Sequence, residues 1–301
     1  MSEPIERRAH AKINLCLSVA SPEPAGSPRA GWHRIASWFH AIDLHDTVTL
    51  RRLPEGAASE LHVDWASDAP RPSPIDWPPE KDLALRALRL LEAHRGRALP
   101  TRIHVRKRIP AGGGLGGGSS DAAAVLLGAD ALHGLALPLA DLAALGTRLG
   151  SDVPFFIDEQ NPPRPALVTG FGDGVERVGR IVGELDLCVP AFGCATHAVY
   201  AALDRAGRIA PADAARVRSA IESARRGGLA SADLFNDLAG PAGAVEPRLA
   251  ALVDALRCSG WERPRVTGSG SCVFRTATGP MIPASARADD GGGTILRVRL
   301  V

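Results

Sequence analysis

The chain has 301 residues, of which 45% are hydrophobic and 23% charged, with a formal net charge of +2; this is the balance of a folded protein of one large or two ordinary domains, and it excludes a disordered or fibrous chain. The arginines are scattered, with no basic stripe carrying interleaved aromatics, which excludes the usual signature of a nucleic-acid partner. Five cysteines (Cys16, Cys188, Cys194, Cys258, Cys272) form no CxxC pair or zinc spacing, and no apolar run suits a signal peptide or membrane span, so reduced thiols, a cytoplasmic location and no membrane partner are expected.

Ala9 to Val19 alternates apolar and polar residues and predicts a half-buried strand with Lys12 and Asn14 on the face away from the core. A Pro/Gly-rich loop, Ser21 to Gly31, follows, and the alternating runs Thr47 to Leu53 and Leu61 to Trp65 predict antiparallel strands. Asp82 and Gly96 bracket a helix as N-cap and stop, and Thr101 to Ile109 is a strand leading into PAGGGLGGGSS, Pro110 to Ser120. A helix from Ser120 to Gly134 and another over Leu139 to Leu149 come next, with Gly150 as a C-cap and Val153-Pro154 holding the chain extended after Asp152. Beyond a proline-rich boundary at 161–165, strands at Ala166 to Thr169, Leu185 to Val189, Arg265 to Thr267, Cys272 to Arg275 and Leu296 to Leu300 alternate with helices near Thr196 to Ala206, Pro211 to Arg226 and Glu246 to Ser259. The expected class is α+β in two domains, residues 1–163 and 164–301.

Six glycines and two serines within Gly112 to Ser120 have no packing role. Backbone N–H groups freed of Cβ atoms close around an anion, and the helix that follows adds its N-terminal donors, so a polyphosphate is the natural ligand. The loop lacks the Gly-Lys-Ser/Thr ending of a P-loop, and the antiparallel strands before it disfavour a dinucleotide-binding βαβ unit despite a partial GxGxxG. A flexible linker is a poor alternative between a strand and a helix. Basic residues number 35, yet lysine occurs only at Lys12, Lys81 and Lys107, so each invites inspection.

AKINL (Ala11 to Leu15), PAGGGLGGGSSDAA (Pro110 to Ala123), GSDVPFF (Gly150 to Phe156) and TGSGSCVF (Thr267 to Phe274) together resemble the galactokinase, homoserine kinase, mevalonate kinase and phosphomevalonate kinase superfamily. AKINL, the GWH at Gly31 to His33, LGGGSS and GSDVPFF are most similar to the branch acting on a cytidine diphosphate-linked polyol in non-mevalonate isoprenoid biosynthesis. The likeness is strong up to Phe156 and thin between Asp158 and Arg265.

The resemblance implies a two-domain kinase fold with its active site in the cleft between domains, using ATP and Mg²⁺ to phosphorylate the 2-hydroxyl of 4-diphosphocytidyl-2-C-methyl-D-erythritol. Pro110, Ala111, Gly112, Gly113, Gly114, Leu115, Gly116, Gly117, Gly118, Ser119 and Ser120 would hold the nucleotide. Asp152, by itself an ordinary turn residue, would be the catalytic carboxylate, with Lys12 as its cationic partner. His33 would read the cytosine edge and Trp32 would stack on the base where relatives carry Tyr. Thr196 and Tyr200 fall where the family places a polar contact and a second stacking aromatic, although Tyr200 also suits a helix core. Asn14 would meet the substrate near its diphosphate or polyol. The turn Gly268 to Ser271 either completes the site or simply joins two strands. Asp82 stands where relatives carry Asn near the adenine, and Ser119, Ser120 and Asp121 offer oxygen to Mg²⁺. Two alternatives remain: another acceptor within the superfamily, or a nucleotide-binding protein without catalysis. The oligomeric state is not read from the sequence.

Overall fold

The computed structural model describes residues 3–207, 210–277, 279 and 293–301. Its elements run β1 (Ile5–Pro22), β2 (His33–Arg52), β3 (Glu60–Trp65), α1 (Leu83–Arg95), β4 (Thr101–Lys107), α2 (Gly117–His133), α3 (Leu139–Thr147), α4 (Val153–Phe156), β5 (Ala166–Gly170), β6 (Gly174–Arg177) and β7 (Glu184–Val189). They continue with α5 (Thr196–Arg205), α6 (Ala214–Gly227), α7 (Ala239–Val245), α8 (Pro247–Cys258), β8 (Arg265–Val266), β9 (Val273–Thr276) and β10 (Thr294–Arg299). The class is α+β, and the chain forms two compact units, one of Met1–Ala11, Leu44–Ala111 and Gly116–Pro163, the other of Lys12–Asp43, Gly112–Leu115 and Arg164–Val301. Two segments from the first half of the chain, 12–43 and 112–115, thus group with the second unit.

In the first unit the end of β2 pairs antiparallel with β4, Thr47 opposite Arg106. β3 pairs with β4 in parallel, Glu60 opposite Arg102, which corrects the antiparallel expectation for this strand. Helix α1 starts on the Asp82 side chain, which accepts from the Ala84 N–H at 2.8 Å, and stops at Gly96 in the left-handed region. Most of α2 is buried, and its approach to β2 depends on Gly128, where a Cβ would come within 2.3 Å of Leu50 Cδ1.

In the second unit the start of β2 pairs antiparallel with β5, and β5 with β6. A separate antiparallel sheet runs β10-β7-β9-β8. Its core gathers Leu17, Val19, Val199, Leu203, Leu249, Leu252, Trp261 and Val266. The five cysteines are free thiols, all buried except Cys258.

β1 departs from the expected half-buried strand, because its polar positions are buried too, Lys12 and Asn14 each at 3% exposure. An ammonium and an amide out of water must find partners within the protein, and those partners define the candidate site.

Candidate active site

Lys12 Nζ donates to Asn14 Oδ1 at 2.5 Å and lies 4.7 Å from the centre of the Phe39 ring, a hydrogen bond and a cation–π contact that hold the ammonium inside the second unit. Asn14 is fixed in turn: its Nδ2 donates to Ser37 Oγ at 2.9 Å, and its backbone N–H donates to Thr267 Oγ1 at 2.9 Å. The next residue, Gly268, has φ +57°, and a Cβ there would lie 3.2 Å from Asn14 Oδ1 and 3.7 Å from Lys12 Nζ. The turn Gly268 to Ser271 therefore joins β8 to β9 and also brings its backbone close to the lysine.

The same backbone reaches the glycine loop. Lys12 N–H donates to Leu115 O at 2.9 Å and Cys272 N–H to Gly113 O at 3.3 Å. At Gly114, with φ +76°, a Cβ would sit 2.9 Å from Thr267 O and 3.0 Å from Gly270 O. Only glycine fits between the two backbones, and φ is positive at Gly112, Gly114 and Gly116, alternating with ordinary residues along the loop.

In the first unit Gly116 is the N-cap and Gly117 the first residue of α2, so Gly117 to Ser120 form the opening helical turn rather than loop, and the helix begins three residues earlier than expected. Both flanks of the loop in this unit are anchored by charge. Lys107, 6% exposed, donates to Asp46 Oδ2 and, at 2.6 Å, to Asp121 Oδ2, while Asp46 Oδ1 accepts the N–H groups of Arg108 and Ile109. Burial works against the Lys107 charge, but Asp121 and Asp46 outweigh it and hold the ammonium above its ordinary range. One ammonium serves two carboxylates, and burial together with the Asp46 charge pushes Asp121 well above the usual carboxylate range against the pull of Lys107. Only Oδ2 of Asp121 is held by the lysine; its buried Oδ1 has no hydrogen-bond partner among the described residues. Among the described residues no group of three or more His, Cys, Asp or Glu side chains is placed to hold a metal ion.

Pro110 is buried, Ala111 exposed and Asp152 half-buried. Asp152 caps α4, with Val153 and Pro154 opening a helical turn instead of an extended strand; α3 ends earlier, at Thr147, with Arg148 rather than Gly150 as its cap.

A further set lies in the second unit. His33 Nε2 is 2.7 Å from Asp204 Oδ1, and its ring centre is 4.9 Å from that of Tyr200. Tyr200 also packs against the core, as its helix-core reading expected. With a proton on Nε2 the ring donates to the Asp204 carboxylate, and in the neutral form of that ring Nδ1 is an acceptor. Trp32, 58% exposed, belongs to a different aromatic group, edge-on to Phe171 at 6.2 Å with the Arg29 guanidinium 5.7 Å from its ring. Thr196 opens α5 and its Oγ1 lies 2.9 Å from Ser269 Oγ, which ties it to the glycine turn.

Residues that sequence reasoning missed are Asp46, Asp204, Ser37 and Thr267. Each reaches its partner across tens or hundreds of positions, and only Thr267, as the first letter of TGSGSCVF, stood in a motif.

Residues 82–160 match the model of the GHMP kinases N terminal domain. The chain is 37% identical over 294 residues to a 4-diphosphocytidyl-2-C-methyl-D-erythritol kinase of Salinispora arenicola, covering 92% of this chain and 85% of that protein. It is 35% identical over 267 residues to the protein of the same name from Xanthomonas campestris pv. campestris, covering 88% and 80%. Among solved structures, a 4-(cytidine 5'-diphospho)-2C-methyl-D-erythritol kinase superposes with a TM-score of 0.75 at 31% identity, over 98% of this chain and 99% of that one. A homoserine kinase from Cytophaga hutchinsonii, 16% identical with a TM-score of 0.66 over 100% and 96%, shares the fold.

Proposed function

This chain belongs to the 4-diphosphocytidyl-2-C-methyl-D-erythritol kinase family of the GHMP kinases, and from that premise we propose that it moves the terminal phosphoryl group of ATP onto the 2-hydroxyl of 4-diphosphocytidyl-2-C-methyl-D-erythritol. It is an ATP-dependent small-molecule kinase of isoprenoid precursor biosynthesis. The observation that carries the site assignment is the buried ammonium of Lys12, hydrogen-bonded to Asn14 while its own backbone N–H is bonded to Leu115 of the glycine loop.

In this reading the N–H groups of Gly112 to Ser119, those not already bonded within α2, and the partial positive charge at the start of α2 bind the triphosphate. The hydroxyl oxygen forms a bond to the terminal phosphorus while the bond from that phosphorus to the bridging oxygen breaks, and ADP departs with the electron pair. Asp152 orients the hydroxyl and accepts its proton, and Lys12 offsets charge on the transferring group. Of this chain's residues, Ser119, Ser120 and Asp121 would be the ones to hold Mg²⁺, with water supplying further ligands, and the ion would neutralise charge on the phosphates. Thr196 and Asn14 contact the polyol diphosphate. Cytosine offers an exocyclic amino N–H, which suits the free Nδ1 of His33, with Tyr200 and Trp32 supplying ring faces. Among the described residues no helix is long and apolar enough to cross a membrane.

ADP release with this substrate, compared between wild type and Asp152→Asn, tests the assignment. The expected loss in kcat is on the order of 10²-fold or more, as for removal of a general base. Equal rates would remove Asp152 from the mechanism.

A further inference from the structure

Asn236, in the segment between α6 and α7, uses every polar atom of its side chain. Its Nδ2 donates to the carbonyls of Val266 at 2.7 Å and Gly268 at 2.8 Å, and its Oδ1 accepts the Leu238 N–H at 2.8 Å. The residues on either side are bound to β1. Leu17 N–H donates to Phe235 O and Asp237 N–H to Leu17 O, each at 2.9 Å, while Asp237 Oδ2 accepts from Val19 N–H at 3.0 Å and Ser18 Oγ at 3.1 Å.

This strap connects two pieces that must keep register. One is β1, which carries Lys12 and Asn14. The other is the turn whose Thr267 hydroxyl accepts from the Asn14 N–H and whose Gly268 leaves no room for a Cβ beside Asn14 Oδ1 and Lys12 Nζ. The same turn presses the Thr267 and Gly270 carbonyls against Gly114. A carbonyl can turn either way unless a donor fixes it, and here one amide fixes two of them.

We propose that Asn236 is a positioning residue for phosphoryl transfer, holding the Val266–Gly268 backbone in the register that seats the Lys12 ammonium and the middle of the glycine loop. The proposal rests on the reading of Lys12 as part of the active site. Asn236 acts through the turn and touches no substrate, so its loss misplaces the lysine without removing it.

The test compares kcat, KM and melting temperature for Asn236→Asp, Asn236→Ala, Leu252→Ala and Lys12→Ala, with ATP and the cytidyl polyol as substrates. Asn236→Asp is nearly isosteric and keeps the acceptor for Leu238, but loses both donors to the turn. Leu252→Ala is a core truncation in the same unit. Misplacement of a catalytic group lowers kcat by about tenfold or more with KM changed by less than about threefold. That result is expected for both Asn236 variants, while Leu252→Ala loses melting temperature and keeps its kcat. A double variant joining Asn236→Asp to Gly268→Ala is expected to be about as slow as the slower single one, since both act on one turn.

The inference is overturned if Asn236→Asp keeps the wild-type kcat, if Leu252→Ala loses kcat in step with its stability, or if the double variant shows the product of the single effects. If Lys12→Ala also turns over normally, the site assignment falls with it. An inactive Lys12→Ala beside a fully active Asn236→Asp removes only the role given to Asn236.

Discussion

Lys107 at the end of β4 and Asp121 in α2 meet at 2.6 Å, so a buried ion pair ties the strand entering the glycine loop to the helix leaving it. Asp46 adds a second carboxylate to the same ammonium and accepts the N–H groups of Arg108 and Ile109. Lys107→Met leaves Asp46 and Asp121 buried without their cation and should cost about 3–5 kcal/mol in denaturant unfolding. Lys107→Arg should rescue little of this, because a planar guanidinium does not fit the place of a compact ammonium between two carboxylates. A loss below about 1 kcal/mol for Lys107→Met would show that the cluster is not what anchors the loop.

Gly114→Ala places a methyl group 2.9 Å from Thr267 O and 3.0 Å from Gly270 O at a φ of +76°. Backbone, not a flexible side chain, has to yield. The expected outcome is a KM for ATP raised about tenfold or more, corresponding to 1.4 kcal/mol of lost binding, with the melting temperature lowered by a few degrees. Unchanged ATP affinity would separate this glycine from the nucleotide.

His40 is fully buried, and its Nδ1–H donates to the Ala41 carbonyl at 2.9 Å. Burial pulls its pKa down to about 4, with the Ala41 bond opposing and Arg180 adding to the shift. Below pH 6.5 an unfolded chain takes up a proton that the folded chain refuses until near pH 4. Stability from the neutral imidazole is therefore complete above about pH 6.5 and is lost progressively down to about pH 4, by roughly 3 kcal/mol in all. Unfolding free energies of wild type and His40→Leu, measured from pH 7.5 to 4, should converge as the pH falls. Parallel curves would contradict the assignment.

Asp204→Asn replaces a carboxylate acceptor that holds the His33 proton on Nε2 with an amide that can present either end. If His33 reads cytosine through Nδ1, KM for the cytidyl substrate should rise by roughly five- to tenfold, about 1 kcal/mol, while KM for ATP stays constant. His33→Ala should exceed it. A matching rise in both KM values would point to a general disturbance of the fold.

The parts of the molecule written in local pattern were legible. Asp82 and Gly96 bracket α1 as the letters suggest, and the glycine run lies between a strand and a helix. What failed was burial and partnership. Alternation along β1 suggested a solvated face, yet Lys12, Asn14 and Ser18 are covered: Lys12 is bonded to Asn14, and Asn14 and Ser18 in turn to Ser37, Thr267 and Asp237, partners that no local pattern announces. β2 continues over 20 residues because Trp38, Phe39 and His40 are all buried and erase the alternation that would have marked it. β3 pairs in parallel, a choice made by sheet neighbours and invisible in a six-residue run. Within the site, Lys12, Asn14 and the loop carried family letters, whereas Asp46, Asp204 and Asn236 are ordinary polar residues whose importance is set by where the chain returns.

The scarcity of lysine has a practical side. Lys12 and Lys107 are only 3% and 6% exposed, while Lys81, ending the short turn Pro79–Lys81, faces solvent. An amine-reactive fluorophore thus has one accessible lysine side chain to find, and the wild-type protein can be tagged there without engineering. Tryptic mapping after graded labelling would then report the order in which the three amines react. Slow acylation of Lys12, and its further slowing by ATP, would turn the buried ammonium into its own gauge of nucleotide occupancy.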